Sequence, residues 1–494
     1  MRQRFEQQLN LGTLPIKDIS IPTKSRDEMP PTVRALQHIF TTPVLNQKVF
    51  TLLEETICKG KKKTGRKGMD LWHIFVLAVV RHATGTNWDR LHLMANGDRY
   101  VREIMGVHAT KFGVEDIEFE YQNILDNVSL ITDDMLYKIN EVVVEAGHQL
   151  IKKKENEVLE LRLKTDSYAL ETNVHFPTDL NLLWDSIRKC FDTVEKLQKT
   201  ENITGWRKIK HLRKSFKSLF RSTSQQVFKG KNEHQKTIKV KAYLQQAKEI
   251  VSRCQVVIPS TTKRSVEAIT TVLALQKYIA YATKFIDQID RRLLKGEVIP
   301  SEEKIFSIFE PHTEWITKGK QNRKVELGHL VLITTDQYQY IVDYKIMEKE
   351  KDAVQVASLK ERLEKKLVGK KIKSISLDKG FWSKENLATL KASSIEEVVL
   401  PKRGNYSKAD KEREGCKSFK KLRNQHSAVE SNINMLEHHG LNKCMDKGLH
   451  GFKRCVGLSI LAYNLHILGN QLQAIERKKE EQAQKLKKRL LLAA

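Results

Sequence analysis

The stretch "LRLKTDSYALET", residues 161–172, constrains the fold more than any other part of the chain. Leu161, Leu163 and Thr165 alternate with charged residues at the period of a half-buried strand, which predicts a strand over 161–167 with Asp166 at its end. Residues 178–297 then read as helix almost throughout: "TDLNLLWDSIRKCFDTVEKLQKT", "KAYLQQAKEIVSRCQVVI" and "SVEAITTVLALQKYIAYATKFIDQIDRRLL" carry apolar residues three and four apart, and Thr178 with Asp179 predicts the first N-cap. A lone strand leaves its backbone N–H and C=O groups unpaired, so its partners must come from beyond residue 298. The helical region is therefore an insertion within an α/β domain.

The later sequence supplies those partners. "KIFSIFEPH", "ELGHLVLITT" and "YQYIVDYKIM" predict three strands, followed by a helix over 352–367, a strand "KSISLD", a helix "SKENLATLK", a strand "EEVVLPKR" and a helical region over 417–439. That order implies an α/β class with a mixed sheet. Ahead of the first strand, 1–59 reads as amphipathic helix interrupted near Pro43, and 60–150 as a basic arm, "GKKKTGRKG", leading into three helical segments separated at Gly85 and Gly97. The latter suits a helix-turn-helix-like DNA-binding domain as well as a plain bundle. The expected organisation is thus 1–59, 60–150, an α/β core of 151–177 and 298–470, a basic helical insertion of 178–297, and a charged C-terminal helix or tail at 471–494.

Charge sets the partner class. With 87 Lys and Arg against 60 Asp and Glu, the net charge is +27, far more than solubility needs, which points to a polyanion and first to nucleic acid. Arg207, Lys208, Lys210, Arg213, Lys214, Lys217 and Arg221 fall in a run whose only acid is Glu233, and an imbalance of that kind is relieved by phosphates. Lys61, Lys62, Lys63, Arg66 and Lys67 in the arm, with Lys318, Lys320, Lys402, Arg403 and Arg423, complete the expected DNA contacts. The scattered cysteines suit a reduced, cytoplasmic setting. The apolar run at 455–469 is too short to span a bilayer and holds Asn464 and His466, so no membrane role is expected.

Three acids recur at structurally suggestive positions. Asp166 ends the first strand, Asp378 ends "IKSISLD", and Glu430 lies in the last helix, where it can reach the edge on which the two aspartates meet. Three carboxylates converging there would repel one another without a cation, and hard oxygen ligands suit Mg²⁺. Glu437, two turns after Glu430, is a rival for the third position, and Glu171 and Asp179 are rivals for the first.

These same blocks carry a resemblance. "TDSYALETNVHFPTDLNLLWDSIRKC", "SIFEPHTEWITKGK", "VELGHLVLI", "SLDKGFW" and "QHSAVESNINMLEHHGL" through "GFKRCVGLSILAYNLHILG" resemble bacterial insertion-sequence transposases with a DDE triad, most closely the ISNCY-type group, over essentially the whole chain. The resemblance implies a ribonuclease-H-like core, DNA cleavage and strand transfer at transposon ends, two Mg²⁺ ions with Mn²⁺ as a substitute, and a homodimer in the synaptic complex. It matches Asp166, Asp378 and Glu430 to the catalytic and metal-binding acids. Related transposases would have Arg at 426 and Lys at 437, where this chain has His426 and Glu437, and only 51 residues separate Asp378 from Glu430. A catalytically silent DNA-binding protein and a metal-dependent nuclease without joining activity are the alternative readings.

Overall fold

The computed structural model describes residues 2–7, 13–60, 67–107, 117–152, 157–201, 203–260, 265–317 and 325–493. Two compact units emerge, one made of 1–173 with 328–494 and the other of 174–327. The chain therefore leaves the first unit just after the opening strand and returns within a later one.

The first unit begins with helices α1 (Met29–Thr41), α2 (Pro43–Ile57), α3 (Leu71–Ala83), α4 (Trp88–Gly97), α5 (Arg99–Ile104), α6 (Tyr121–Val128) and α7 (Asp133–Ile151). Pro43 starts α2 at the first-turn position, where its missing N–H costs nothing. Every residue of α3 is buried, as its unbroken apolar run demands, and Asn87 and Asp98 cap α4 and α5 by accepting from the N–H of Arg90 and Val101. The first 150 residues share one core with the sheet instead of forming separate bodies.

The sheet is mixed and open, with seven strands: β1 (Glu160–Thr172), β2 (Glu314–Thr317), β3 (Val325–Thr335), β4 (Ile341–Met347), β5 (Lys371–Leu377), β6 (Glu397–Val399) and β7 (Lys443–Cys444). β1 is flanked by β3, antiparallel, and β5, parallel; β4 lies beyond β3 and β6 beyond β5, while β7 joins the far end of β1. From β1 the chain builds outward on one side through β3 and β4, then crosses to the other side for β5 and β6. The reversal falls between β1 and β5. Helices α12 (Gln355–Lys366) and α13 (Lys384–Lys391) form the crossovers, followed by α14 (Lys408–Gly415), α15 (Lys417–Gln425), α16 (Ala428–Leu436) and the long α17 (Gly448–Ala493).

The second unit packs α8 (Asp179–Leu197), α9 (Ile209–Lys229), α10 (Glu233–Ser260) and α11 (Val266–Ile289) around Phe191, Phe216, Tyr243 and Phe285. Thr178 caps α8, its hydroxyl accepting from Asn181 N–H at 3.1 Å. This unit is wider than the expected 178–297 insertion because it includes "KIFSIFEPH", which forms no strand. Ser307 Oγ accepts from the N–H groups of Phe309 and Glu310, turning the chain where a ladder would need those donors, and Ile308 joins the helical core instead.

Two further expectations change. β1 runs six residues past Asp166, to Thr172, and the helix expected over 417–439 breaks at His426 and Ser427. The apolar run at 455–469 is the buried half of α17, which packs on α1, α3 and α7. Asn464, polar within that run, donates to Asn140 Oδ1 and Ile341 O and accepts from Ile341 N–H, tying α17 to α7 and β4. Among the described residues no helix is long and apolar enough to cross a membrane.

Candidate active site

Parallel pairing aligns Thr165 with Leu377, the last residue of β5, so Asp166 and Asp378 occupy the next position on adjacent strands. Neighbouring strands lie about 4.8 Å apart, which brings the two carboxyls side by side at the point where the strand order reverses. Asp166 also marks a change of face along β1. Leu161, Leu163 and Thr165 are buried before it, and Tyr168, Leu170 and Thr172 after it, so the polar side chains of Arg162, Lys164 and Asp166 share the face that is uncovered up to that point.

Glu430 reaches the same region from α16. Val429, Asn432 and Leu436 are its buried face, α16 packs against β1, and Asn432 Oδ1 accepts from Tyr463 OH of α17 at 3.2 Å, fixing the helix. Burial pushes the Asp166 carboxyl up to about 6, helped by repulsion from Asp378, Asp352 and Glu430 and opposed by Ser167 N–H, which donates to Asp166 Oδ1. Glu437, the rival for Glu430, lies in the following π-helical turn near Tyr168. Of the rivals for the first position, Glu171 is on the far part of β1 and Asp179 starts α8, where Arg292 pairs with it at 2.9 Å.

Asp352, in the turn before α12, is an acid that sequence reasoning missed. Ser167 Oγ donates to Asp352 Oδ1 at 2.7 Å, and burial together with Asp378 raises the Asp352 carboxyl above its usual range against that bond. The neighbouring turn Lys379–Phe381 explains the glycine of "DKGF": a Cβ at Gly380 would sit 2.9 Å from Asp352 Oδ2, a carboxylate already held by Ser167. In "KEKDAVQV", Asp352 reads as an ordinary residue at a helix start, and nothing local marks it as a neighbour of Asp378. His426 stands close as well. Burial lowers its imidazole while Asp378 and Glu430 pull the other way, and neither ring nitrogen has a hydrogen-bond partner among the described residues.

The donor set fits a divalent cation in chemistry. Its oxygens are hard, and the repulsion felt by Asp166 is what such a cation relieves. Among the described residues no group of three His, Cys, Asp or Glu side chains is close enough to hold a metal ion by itself. Mg²⁺ commonly binds through one or two carboxylates plus substrate phosphates, so the adjacent Asp166 and Asp378 are the residues that would hold it.

The expected DNA contacts divide sharply. Arg207, Lys208, Lys210, Lys214, Lys217 and Arg221 are exposed on or just before α9, and Arg403 and Arg423 are exposed in the first unit. Arg213 departs from expectation: it turns toward α8 and pairs with Asp192 at 2.8 Å and Glu195 at 2.7 Å. Lys402 does too, because its ammonium is bonded to Asp410, the capping-box acid of α14. Lys67 is exposed but pairs with Asp70 at 3.4 Å. Lys61, Lys62, Lys63, Arg66, Lys318 and Lys320 lie outside the described residues. No family model matches the chain, and no curated protein or solved structure matches it.

Proposed function

We propose that this protein is a DDE-type DNA transposase, which binds the inverted repeats of a mobile element and carries out metal-dependent cleavage and strand transfer on double-stranded DNA. The observation that carries the reading is the meeting of Asp166 and Asp378 at the strand-order reversal of a mixed sheet, with Glu430 in electrostatic reach. In open α/β sheets that crevice is where ligands bind. A central strand with an antiparallel neighbour on one side and parallel ones on the other supports a ribonuclease-H-like core.

Asp166 and Asp378 would hold Mg²⁺ ions, two in this reading, which when bound supply Lewis-acid activation and charge neutralisation at the phosphodiester. Glu430, on α16, would accept a proton from the attacking water or complete the ligand set. Cleavage breaks the bond between phosphorus and the 3′ oxygen at the element's end. The freed 3′-hydroxyl would then attack a target phosphodiester in the same site, forming an ester to that phosphorus as its bond to the target's 3′ oxygen breaks and leaves a target 3′-hydroxyl. The exposed cations of α9 supply sequence-independent affinity for the duplex. Joining two ends requires a synaptic assembly, for which a homodimer is the simplest form.

A silent DNA-binding protein of the same fold draws on one observation, the absence of a ready three-ligand cluster among the described residues. The two readings separate when the protein is incubated with labelled DNA from the flanks of its coding region and Mg²⁺. Nicking and joining are expected, with Asp166→Asn and Asp378→Asn each reducing them by at least about 10²-fold, the typical cost of losing one group that stabilises developing charge. Cutting without joining would indicate a nuclease. A wild type that does neither, or variants that still cleave, would overturn the assignment.

A further inference from the structure

Beside the acids, on the face of β1 that carries Arg162 and Lys164, lies a cavity of about 520 Å³ also walled by Gln337, Gln425, Ser427 and Ser431. Its lining contains no carboxylate. Gln337 is occupied, donating to Glu160 O at 2.7 Å and accepting from Arg162 N–H at 2.8 Å, and Ser427 Oγ donates to Asn424 O. That leaves the Arg162 guanidinium, the Lys164 ammonium, the Gln425 amide and the Ser431 hydroxyl as donors that can turn inward.

Lys164 is half-buried and has no hydrogen-bonded or ion-paired acid among the described residues. Asp336, the acid whose charge acts on it, is itself committed, accepting from buried His148 Nε2 at 2.6 Å and from the N–H groups of Tyr338 and Tyr340. A cation kept out of water without a counter-ion is costly unless a ligand provides the anion. The first residue of α16, Ala428, also lines the cavity, so the positive end of that helix dipole faces the same space. The volume falls within the range that accommodates a nucleotide-sized ligand.

We propose that this cavity is a phosphate subsite that grips the nucleic-acid strand next to the scissile bond, with Arg162 and Lys164 as its anion-binding residues. It rests on the nucleic-acid reading above and adds a place for the strand that the acid cluster alone does not provide. Because Arg162, Lys164 and Asp166 follow at every second position on one strand face, a phosphate held by the first two sets the distance of the next phosphodiester from the third.

The full-length protein is titrated calorimetrically with a 5′-phosphorylated single-stranded tetranucleotide, with inorganic phosphate alone, and with a long duplex. The tetranucleotide should bind, and R162Q/K164Q should weaken it at least tenfold and flatten the slope of log K against log salt by about 1.4, for two lost single-strand phosphate contacts. R162K/K164R should restore binding. Gln425→Ala with Ser431→Ala, on the helical wall, should weaken binding without touching the sheet. Tetranucleotide affinity unchanged in R162Q/K164Q, or matched by inorganic phosphate, would overturn the subsite. If the duplex still binds in that case, only the subsite fails; if the wild type ignores the duplex, the nucleic-acid reading fails with it.

Discussion

Each unit holds a set of positive charges that contrasts with one in the other. In the sheet unit, interior cations meet buried acids: Asp343 accepts from Tyr137 OH at 2.7 Å, from Arg362 at 2.9 Å and from Lys366 at 2.9 Å, and Arg81 pairs with Asp446 at 2.7 Å. In the helical unit, Lys210, Lys214, Lys217 and Arg221 of α9 are exposed and have no acid partner among the described residues. Buried pairs are strongly destabilising to break, whereas bare surface cations contribute nothing to the fold and repel one another. The first set holds the structure together. The second has no acid of the protein beside it, so in the proposed reading it is the part of the +27 charge left available to a polyanion.

The largest expected effect tests that division directly. Positions 210, 214, 217 and 221 fall within an arc of about 60° on the helix and span about 16 Å of its length, a cationic stripe suited to a phosphate backbone. Replacing all four with Gln should lower the slope of log K against log salt for duplex DNA by about 3.6, and weaken binding by at least about 10²-fold at low salt. The melting temperature should hold or rise, because the substitutions remove repulsion and no pairing. An unchanged slope would mean that the stripe is merely a solvated face.

A smaller effect is expected at the acid cluster, where the sheet unit breaks its own rule by gathering like charges. Asp166 titrates at about 6 in the folded protein against 3.8 ordinarily, so between those values the folded state binds the extra proton. Stability should therefore rise as pH falls from 7 toward 4, and be lost again as pH climbs through 6. Taking partial solvent access into account, the contribution is about 1–3 kcal/mol. Asp166→Asn should accordingly be more stable than wild type at pH 7, by a margin that shrinks near pH 4, as read by denaturant unfolding. Added Mg²⁺ should stabilise the wild type at pH 7 and leave Asp166→Asn nearly unmoved. A variant less stable than wild type at pH 7 would show that the carboxylate is satisfied where it stands.

How far this contrast was legible follows the range of the interactions. Period-two alternation revealed β1, and the helical stretch after it required an inserted body, because both are local patterns tied to backbone pairing. The extension of β1 past Asp166 was not legible: burial changes face there, so Tyr168, Leu170 and Thr172 break the alternation set by Leu161, Leu163 and Thr165. Asp378 follows the end of β5 as its sequence suggests, whereas Asp166, expected at a strand end, lies inside β1, and Glu430, expected within one long helix, lies in the first turn of α16. Asp352 was not legible in this way, since Ser167 and Gly380, its neighbours in space, are remote from it in sequence. The basic run showed how much charge was present but not which cations already had acids.

Arg213 isolates that last point. It sits in the same run as the stripe, one residue before Lys214, yet its guanidinium bridges Asp192 and Glu195 of α8 and lies 5.7 Å from the centre of the Phe191 ring. Pairs of this partly exposed kind contribute about 0.5–1 kcal/mol, and salt weakens them. Arg213→Gln should therefore lower stability by about that amount, with the deficit shrinking at high ionic strength, while the salt slope of DNA binding stays at the wild-type value. A slope reduced by about 0.9, the signature of one lost phosphate contact, would mean that Arg213 abandons its acids when DNA binds. The sorting of cations into structural and available would then describe the free protein only, and α8 would have to release Arg213 for the duplex to be held.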